Sequence, residues 1–364
     1  MKEMEGPMWQ LIIGTTLVVV GIVLLTLLSN KKNQKLKTKH SVSKEKPSIY
    51  LEEFREIGGI EQYIYHRGTN YDNPVVLFLH GGPGFPMIPF IHEFQSQWED
   101  RFTVIHWDQR NTGRTYYHNI FKNNNDRNTM EQLIEDTHEI CTYLKEKYDK
   151  DKIIIFGHSF GSALGLKFVQ RYPEDVMCYF GTGQMVGTIL NERTLYEKTL
   201  SLAKASGNKR DLKVLENMRD YPTGTYNYET KNNLLGLRRM AQKYDLLDSD
   251  SRIMRIVNKS AHHPMKYSAY FTANTMKFHN ELFKYMFEEF DMQRCDSHYK
   301  VPVFFIVGSD DWETPYTVAE EYFSKIEAPK KNITFISNAK HYAMIDNTEE
   351  FYKAMLRDVE SILK

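Results

Sequence analysis

A serine between two glycines, at the junction of an apolar run and a helical segment, constrains this chain more than any other feature. The stretch is Gly157-His158-Ser159-Phe160-Gly161. It follows the run Ile153–Phe156 and precedes the segment Ser162–Phe168. A strand that turns sharply into a helix crowds its own backbone, and flanking glycines relieve the crowding because they have no Cβ. The pattern therefore predicts a strand, a strained turn and a helix, with the Ser159 hydroxyl held at the carboxyl edge of a sheet.

Short apolar runs alternate with helical patterns along much of the chain. The runs that we interpret as strands are Val75–Leu79, Thr103–Trp107, Ile153–Phe156, Met177–Phe180, Val303–Val307 and Ile333–Ile336. Parallel strands that are buried on both faces have continuous apolar sequences, and their connecting helices cover both faces of the sheet. The sequence therefore predicts an α/β fold with a mostly parallel central sheet and helices on both sides.

Three sites in the sequence indicate where helices begin. Thr129 and Gln132 form a possible capping box at the start of one helical pattern, and Asn347 and Glu350 form another before the terminal helix. Pro315 is expected at the first position of the helix that follows the strand at 303–307, because proline is tolerated there.

The amino end differs from the rest of the chain. Residues 8–28 include no charged side chain, and as a helix they would extend about 31 Å, enough to cross the hydrocarbon core of a bilayer. A basic stretch follows, with Lys31, Lys32, Lys35, Lys37, Lys39, Lys44 and Lys46. Positive charge favours the cytoplasmic side of a membrane. We therefore expect a retained single-pass membrane anchor with the folded domain in the cytoplasm.

The middle of the chain has no strand pattern. From about residue 185 to residue 297, helical patterns rich in Lys, Glu, Leu, Met and Tyr predominate. The expected organisation is a transmembrane anchor at 1–30, a basic linker at 31–48, the first part of the core at 49–184, a helical lid at 185–297 and the second part of the core at 298–364.

Charge and cysteine content exclude several classes of function. Lysines and arginines number 47 and so do aspartates and glutamates, so nothing in the overall charge indicates a nucleic-acid partner. The three cysteines, at 141, 178 and 295, are far apart and form no C-x-x-C pair. They therefore give no zinc signature and no disulfide framework.

A serine hydroxyl is a poor nucleophile unless a histidine accepts its proton, and that histidine needs a carboxylate to fix its tautomer. Downstream of Ser159, an acid follows the strand at 303–307 and His341 follows the last strand. The order along the chain is serine, acid and then histidine, each after a strand, which is similar to the order in α/β-hydrolases. Asp310 and Asp311 compete for the role of the acid, and we favour Asp311 because it lies in the turn just before the helix at Pro315.

A reaction at a carbonyl group also needs two donors for the developing oxyanion. One is expected to be the backbone N–H of Phe160, and the other an N–H in the glycine-rich loop after Leu79, with Gly82 preferred and Gly81 next. We expect His80 to anchor that loop. Asp108 and Arg110 are expected to form a structural pair beneath the site.

These residues resemble those of the α/β-hydrolase superfamily and, within it, the prolyl aminopeptidase (proline iminopeptidase) group. The matching stretches are His80–Gly84, Asp108–Arg110 with Thr112–Gly113, Gly157–Gly161, Gly308–Asp311 with Pro315, and His341. The resemblance implies a serine hydrolase with a helical lid that needs no metal and no cofactor. It also implies acidic lid residues that hold the free amino terminus of a substrate.

The sequence departs from this group at several positions. Asn111 replaces the usual glycine of the Asp-Gln-Arg-Gly turn, and Phe160 replaces a frequent tryptophan. The lid has no clear Trp-Glu motif, and Glu192, Glu197 and Glu229 are candidate acids that sequence does not rank, each interpreted first as a solvated helix charge. We therefore predict hydrolysis of an ester or of the amino-terminal residue of a short peptide. The alternative is a catalytically silent, membrane-tethered binding protein with the same fold.

Overall fold

This computed structural model describes residues 49–122, 128–262 and 279–363. The predicted anchor at 1–30 and the basic linker at 31–48 lie outside the described residues. Across the three described ranges, no helix is both long and apolar enough to cross a membrane.

Eight strands form one sheet in the order β1-β2-β4-β3-β5-β6-β7-β8. They are β1 (Ile49–Ile57), β2 (Ile60–Gly68), β3 (Val75–Leu79), β4 (Thr103–Asp108), β5 (Ile153–His158), β6 (Val176–Thr182), β7 (Val303–Gly308) and β8 (Lys331–Ile336). The pairs formed among β3 to β8 are parallel, whereas β1 and β2 pair antiparallel and β2 joins β4 antiparallel. The α/β fold with a mostly parallel sheet is therefore confirmed.

The hairpin of β1 and β2 was not predicted, although the sequence has a signal for it. Gly58 and Gly59 connect the two strands, and Ile57 pairs with Ile60 across the turn. Both glycines have positive φ, of 55° and 78°, which a two-residue hairpin turn of this kind requires at both positions. Two glycines between strand-forming residues are thus the signal that identifies this antiparallel edge.

Helices cover both faces of the sheet. They are α1 (Ile91–Phe94), α2 (Gly113–Asn119), α3 (Met130–Tyr148), α4 (Phe160–Arg171), α5 (Thr188–Ser206), α6 (Lys209–Glu216), α7 (Tyr228–Lys243), α8 (Asp250–Lys259), α9 (Asn280–Glu288), α10 (Tyr316–Lys325), α11 (Ala343–Asp346) and α12 (Thr348–Leu363). Two clusters of buried apolar side chains, one on each face of the sheet, form the core. This arrangement leaves the carboxyl ends of the parallel strands open to the loops that follow them.

The predicted helix starts agree with the structure to within one residue. The Thr129 hydroxyl accepts the N–H of Gln132 at 3.2 Å, one residue before α3 begins. The Asn347 side chain accepts the N–H of Glu350 at 3.3 Å before α12. Pro315 precedes the first residue of α10 instead of occupying it. That prediction was therefore displaced by one position.

Between β6 and β7, residues 185–262 and 279–297 form helices α5 to α9 and contain no strand. Their apolar side chains build a separate cluster that includes Leu195, Leu215, Tyr221, Leu237 and Phe287. An isolated bridge between Gly187 and Asp291, together with a hydrogen bond of 2.7 Å from the Met292 N–H to the Val186 carbonyl, joins the two ends of this segment. The exact bounds of the lid stay a prediction.

Candidate active site

Ser159 lies in the turn between β5 and α4, as the sequence predicts. Its φ is 55° and its ψ is −126°, a conformation that costs free energy for a residue with a Cβ. The N–H of Ser159 donates to the Thr182 carbonyl at 3.0 Å, which fixes the turn against β6. A Cβ on Gly161 would overlap the Leu79 carbonyl. Only glycine at position 161 therefore lets α4 approach β3 closely enough for this turn.

Asp311 and His341 lie on the loops after β7 and β8, and their side chains meet. The Nδ1 atom of His341 is 3.0 Å from Oδ2 of Asp311, and the two residues are 3% and 1% exposed respectively. The other carboxylate oxygen, Oδ1, accepts the backbone N–H groups of Glu313 and Thr314 at 2.9 and 3.0 Å. The Thr314 hydroxyl donates to Oδ2 at 2.9 Å. These bonds hold the carboxylate in place and leave the Nε2 atom of His341 to face a reacting group.

The structure also distinguishes the two neighbouring aspartates. Asp310 is exposed, and its carboxylate accepts a hydrogen bond of 3.2 Å from the Ser309 hydroxyl. Asp311 is the one in contact with His341. The geometry therefore selects Asp311, the acid that the sequence favoured.

The imidazole of His341 has a shifted pKa with two opposing causes. Burial disfavours its charged form, but the negative charges of Asp311 and Glu313 and the hydrogen bond to Asp311 outweigh burial and raise the pKa to about 9. An imidazole held in this way is a strong base when it is neutral, and its protonated form is stabilised by the adjacent carboxylate.

Ser159 and His341 lie close to each other at the same edge of the sheet. The ring of His158 contacts the His341 backbone carbonyl at 3.0 Å from its Nε2 atom. Gly183 directly follows Thr182, the β6 residue whose carbonyl accepts the Ser159 N–H. A Cβ on Gly183 would be 2.7 Å from Cε1 of His341. Among the hydrogen bonds of the described residues there is none between the Ser159 hydroxyl and the His341 imidazole. The acid–histidine pair is therefore hydrogen-bonded, whereas no hydrogen bond joins Ser159 to His341 within the described ranges.

A cavity of about 220 Å³ lies over Ser159. The two residues predicted to supply oxyanion donors, Gly82 and Phe160, line it together with the serine. Phe160 is the first residue of α4, so its N–H has no acceptor within the helix and is free to bind a ligand. Leu234 and Phe283 from the helical segment form part of its apolar wall.

His80 anchors the glycine-rich loop on which Gly82 lies. The N–H of Gln109 donates to Nε2 of His80 at 3.2 Å, so the ring proton is on Nδ1, which donates to the Gly81 carbonyl at 2.9 Å. Burial lowers the pKa of His80 to about 4. The residue is therefore a neutral structural connector between the loops after β3 and β4, in agreement with the sequence interpretation.

The expected partnership of Asp108 with Arg110 needs correction. The guanidinium of Arg110 pairs with the carboxylate of Asp136 on α3, with Nε 2.7 Å from Oδ2 and Nη2 3.0 Å from Oδ1. Both side chains are almost completely buried. Asp108 instead accepts the N–H of Arg114 at 2.8 Å at the start of α2. Arg110 is thus structural, as expected, but it connects its loop to a helix that sequence did not indicate.

Asn111 has a φ of 55°, so it adopts the left-handed backbone expected of the glycine that it replaces.

The acidic residues of the helical segment also differ from their interpretation as solvated charges. Glu192 is only 3% exposed, and it forms a bidentate ion pair with Arg238 and accepts the hydroxyl of Tyr221 at 2.8 Å. Both Glu192 and Arg238 line the cavity. Glu197 and Glu229 are exposed and do not line it. The solvated interpretation was therefore wrong for Glu192 and is confirmed for the other two.

Glu313 is a cavity residue that the sequence reasoning missed. It is half-buried, lies two residues after Asp311 and lines the cavity that contains Ser159. The sequence contains a signal for this residue. In the stretch Asp311-Trp312-Glu313-Thr314-Pro315, a second acidic residue follows the favoured acid two positions later. Glu313 lies outside residues 185–297, the range in which the sequence predicts acids that bind substrate.

Over the part of the chain that the structure describes, no group of three or more His, Cys, Asp or Glu side chains is arranged to hold a metal ion. The three cysteines have free thiols, two of them buried. The arrangement fits acyl transfer: Ser159, Gly82 and Phe160 line one cavity, and the hydrogen-bonded pair of His341 and Asp311 lies on the neighbouring loops.

Comparison with known proteins agrees with this geometry. The model of the family described as "Serine aminopeptidase, S33" matches residues 75–348. A relative from Bacillus subtilis (strain 168), named "Probable aminopeptidase YbaC", is 27% identical over 86% of this chain and 97% of its own length. The proline iminopeptidase of Neisseria gonorrhoeae is 31% identical, over 34% of this chain and 36% of its own length. Among solved structures, the proline iminopeptidase of Mycobacterium smegmatis has the same fold, with a TM-score of 0.58 at 16% identity over 86% of this chain and 98% of that one. The interpretation as an enzyme is thus confirmed, and the chain belongs to the serine aminopeptidase S33 family of α/β-hydrolases.

Proposed function

We propose that the protein removes the amino-terminal residue of short peptides through an acyl-enzyme intermediate on Ser159. The observation that carries the proposal is the buried pair of Asp311 and His341, 3.0 Å apart, next to a serine in a strained turn at the mouth of a cavity. Structural roles alone do not explain why a serine is kept at positive φ beside such a pair.

In the proposed reaction, the Ser159 hydroxyl oxygen attacks the carbonyl carbon of the scissile bond while Nε2 of His341 accepts its proton. Asp311 accepts the hydrogen bond from Nδ1 and stabilises the imidazolium that forms. The proton then passes from His341 to the leaving amine, and the carbon–nitrogen bond breaks. Water, deprotonated by the same imidazole, hydrolyses the acyl-enzyme and restores the serine. A hydrogen bond from the Ser159 hydroxyl to Nε2 of His341 is expected when substrate binds.

The tetrahedral intermediates place a negative charge on the former carbonyl oxygen. The N–H groups of Phe160 and Gly82, both at the cavity wall, are proposed to donate to it. The position of Phe160 at the start of α4 adds the positive end of a helix dipole, which also favours a negative charge there.

Ester hydrolysis is the second candidate, because the same machinery acts on esters and part of the cavity wall is apolar, with Leu234, Met286 and Phe287. The names of the relatives favour peptides with a free amino terminus. A parallel screen of p-nitrophenyl esters and aminoacyl 2-naphthylamides, including the proline derivative, tests the choice. Turnover of the naphthylamides that is lost on N-acetylation supports the aminopeptidase. Turnover of simple esters alone contradicts it and leaves an esterase.

Ser159→Ala tests the nucleophile itself. We expect it to abolish both turnover and covalent labelling by a fluorophosphonate probe. The same activated serine oxygen attacks the substrate carbonyl and the phosphorus atom of the probe. Ser162→Ala is the matched control: its hydroxyl donates to the Ser159 carbonyl and lies in α4, away from the cavity lining. Labelling that persists in Ser159→Ala and disappears in Ser162→Ala would show that Ser159 is not the nucleophile.

We also propose that the protein is held at a membrane by residues 8–28, with the folded domain in the cytoplasm. The support is in the sequence: an uncharged stretch long enough to span, followed by a lysine-rich segment. The expected result is that the full chain stays in the membrane fraction at high pH and salt, whereas a chain that starts at residue 47 is released. Recovery of the full chain in the supernatant contradicts the proposal.

A further inference from the structure

Three charged side chains line the cavity over Ser159: Glu192, Arg238 and Glu313. Two are acidic and one is basic, so the wall has one net negative charge. Asp311 and His341 add no net charge when the imidazole is protonated, and one further negative charge when the imidazole is the neutral base. A small, partly apolar cavity with one uncompensated negative charge favours a ligand that carries a positive charge.

Glu192 does not supply that negative charge. Both of its carboxylate oxygens bind the guanidinium of Arg238, with Oε2 3.1 Å from Nη1, and Oε2 also accepts the hydroxyl of Tyr221 at 2.8 Å. The carboxylate and the guanidinium neutralise each other, and their hydrogen bonds are already made. A substrate cation at Glu192 would have to compete with a bidentate arginine.

Glu313 is the acid that remains. Among the residues that the structure describes, its carboxylate makes no hydrogen bond and no ion pair, although it borders the cavity. Its backbone, in contrast, is held firmly: the N–H of Glu313 donates to Oδ1 of Asp311 at 2.9 Å. The side chain thus extends from the loop that holds the catalytic acid. Its charge acts on Arg238, but its carboxylate oxygens have no hydrogen-bond partner among the described residues and are available to a ligand.

We propose that the carboxylate of Glu313 binds the α-ammonium group of the substrate and makes the enzyme an exopeptidase. The inference rests on the proposed function. It moves amine recognition from the acidic lid residues that the family resemblance implies to the loop after β7. An ammonium group in a partly buried site is strongly stabilised by one carboxylate partner and strongly disfavoured without one.

The position of Glu313 also explains why only the first residue would be removed. The ammonium and the first carbonyl carbon of a peptide are separated by a single Cα atom. Because Glu313 and Ser159 line the same cavity of about 220 Å³, an ammonium bound to Glu313 can bring the first peptide bond to the serine. A further residue before that bond would move the ammonium by about 3.5 Å, away from the carboxylate.

A different role for Glu313 has to be separated from this one. Its negative charge helps to raise the pKa of His341, so it could act on the histidine without touching the substrate. Loss of that charge would then alter the pH dependence for every substrate equally. Binding of the ammonium predicts an effect that depends on whether the substrate has a free amino group.

The experiment compares Glu313→Gln with the wild-type full chain on two substrates. One is an aminoacyl 2-naphthylamide that the wild type cleaves, and the other is p-nitrophenyl acetate, which has no amine. We expect kcat/KM for the naphthylamide to fall about 10- to 100-fold, mainly through KM, because a charge-assisted hydrogen bond is lost. For the acetate ester, measured at the pH optimum of each variant, we expect a change of less than about threefold. Glu197→Gln removes an exposed acid of α5 outside the cavity lining and should leave both substrates unaffected.

A second measurement keeps the test independent of amide turnover. An amino-acid amide, which has the ammonium group, should inhibit ester hydrolysis by the wild type and lose at least about tenfold of that inhibition in Glu313→Gln. Equal losses on both substrates, or unchanged inhibition by the amide, overturn the proposal. If the wild type shows no preference for a free amine at all, the proposed function fails first. A wild-type preference that survives in Glu313→Gln means that only the assignment to Glu313 is wrong.

Discussion

The Nδ1 atom of His341 lies 3.0 Å from Oδ2 of Asp311, and the carboxylate is held from the other side by two backbone N–H groups and the hydroxyl of Thr314. The orientation of the aspartate carboxylate is therefore fixed independently of the histidine. In this arrangement Nδ1 carries the proton, and the lone pair needed to accept the serine proton is on Nε2.

Asp311→Asn should leave the fold intact and lower kcat by about 10³-fold or more, because the amide no longer fixes the imidazole tautomer or stabilises the imidazolium. Asp310→Asn is the matched control, since the neighbouring aspartate is exposed and its carboxylate accepts a hydrogen bond from the adjacent Ser309. It should retain activity within about twofold of wild type. Steady-state kinetics with the same substrate check both. A larger loss in the control than in Asp311→Asn would reverse the assignment.

The pH dependence of kcat/KM should have an acidic limb near pH 9. Burial opposes protonation of His341, but Asp311 and Glu313 raise its pKa to about 9. The base must be neutral to accept the serine proton, so activity rises as pH rises through that value and falls about tenfold for each unit below it. A pH–rate profile of the wild type with a neutral ester measures this limb. A plateau that extends unchanged down to pH 7 would contradict the raised pKa.

Much of the site was predictable because each of its parts follows a strand. A buried parallel strand has a recognisable apolar run, and the residues just after it reach the same edge of the sheet. Ser159, Asp311 and His341 all occupy such positions, which is why separations of 152 and 30 residues along the chain did not hide them. The hairpin at 49–68 was missed for the opposite reason: β1 mixes charged and apolar residues and has no continuous apolar run, and its strong signal is the pair of glycines in the turn.

Pairing between distant side chains was not predictable. Sequence gives no register between a loop and a helix that contacts it, so Arg110 was assigned to Asp108 instead of Asp136. The same limit applies to Glu192. A glutamate on a helix is usually solvated, and only the packing of α5 against α7 shows that Arg238 neutralises it in a buried position.

Gly161→Ala should destabilise the protein by about 3 kcal/mol or more, because the new methyl group would overlap the Leu79 carbonyl and push α4 away from β3. Gly236→Ala on α7 is the control. Its added methyl group meets only the flexible Met218 side chain, 3.3 Å away, and alanine favours a helix over glycine. Its change in stability should therefore be within about 1 kcal/mol of zero. Denaturant unfolding of both variants gives the comparison, and equal stabilities would refute close packing at the elbow.

The folded protein should lose stability in mild acid. Burial lowers the pKa of His80 to about 4 and the pKa values of His106 and His279 to about 3. Their pKa values are near 6.5 in the unfolded chain, so between pH 6.5 and about 4 the unfolded chain binds more protons, and stability falls as pH falls. Each histidine contributes roughly 1 kcal/mol per pH unit in this window and nothing above it.

Urea unfolding at pH 7.5, 6 and 5 measures this loss. His106→Gln should be less stable at pH 7.5, because the ring of His106 packs against Phe78 at 4.8 Å between centroids, yet its stability should depend less steeply on pH. A free energy of unfolding that is constant from pH 7.5 to pH 5 in the wild type would show that these histidines are not buried in their neutral form.

The buried ion pair of Glu192 and Arg238 should show strong coupling in a double-mutant cycle. The side chains are 4% and 24% exposed, so removal of either one leaves the other with its charge in a largely apolar environment, at a cost of about 3 kcal/mol. We therefore expect Glu192→Gln and Arg238→Met to be destabilised singly, and the double variant to lose much less than the sum, with a coupling of at least about 2 kcal/mol.

The exposed pair of Glu321 and Lys325, one turn apart on α10, is the matched comparison. Solvent screens its charges, so its cycle should give little coupling. Unfolding free energies of the four proteins in each cycle decide the matter. Additive losses at Glu192 and Arg238 would mean that water reaches the pair, and the charge of Glu192 would then not be neutralised within the cavity.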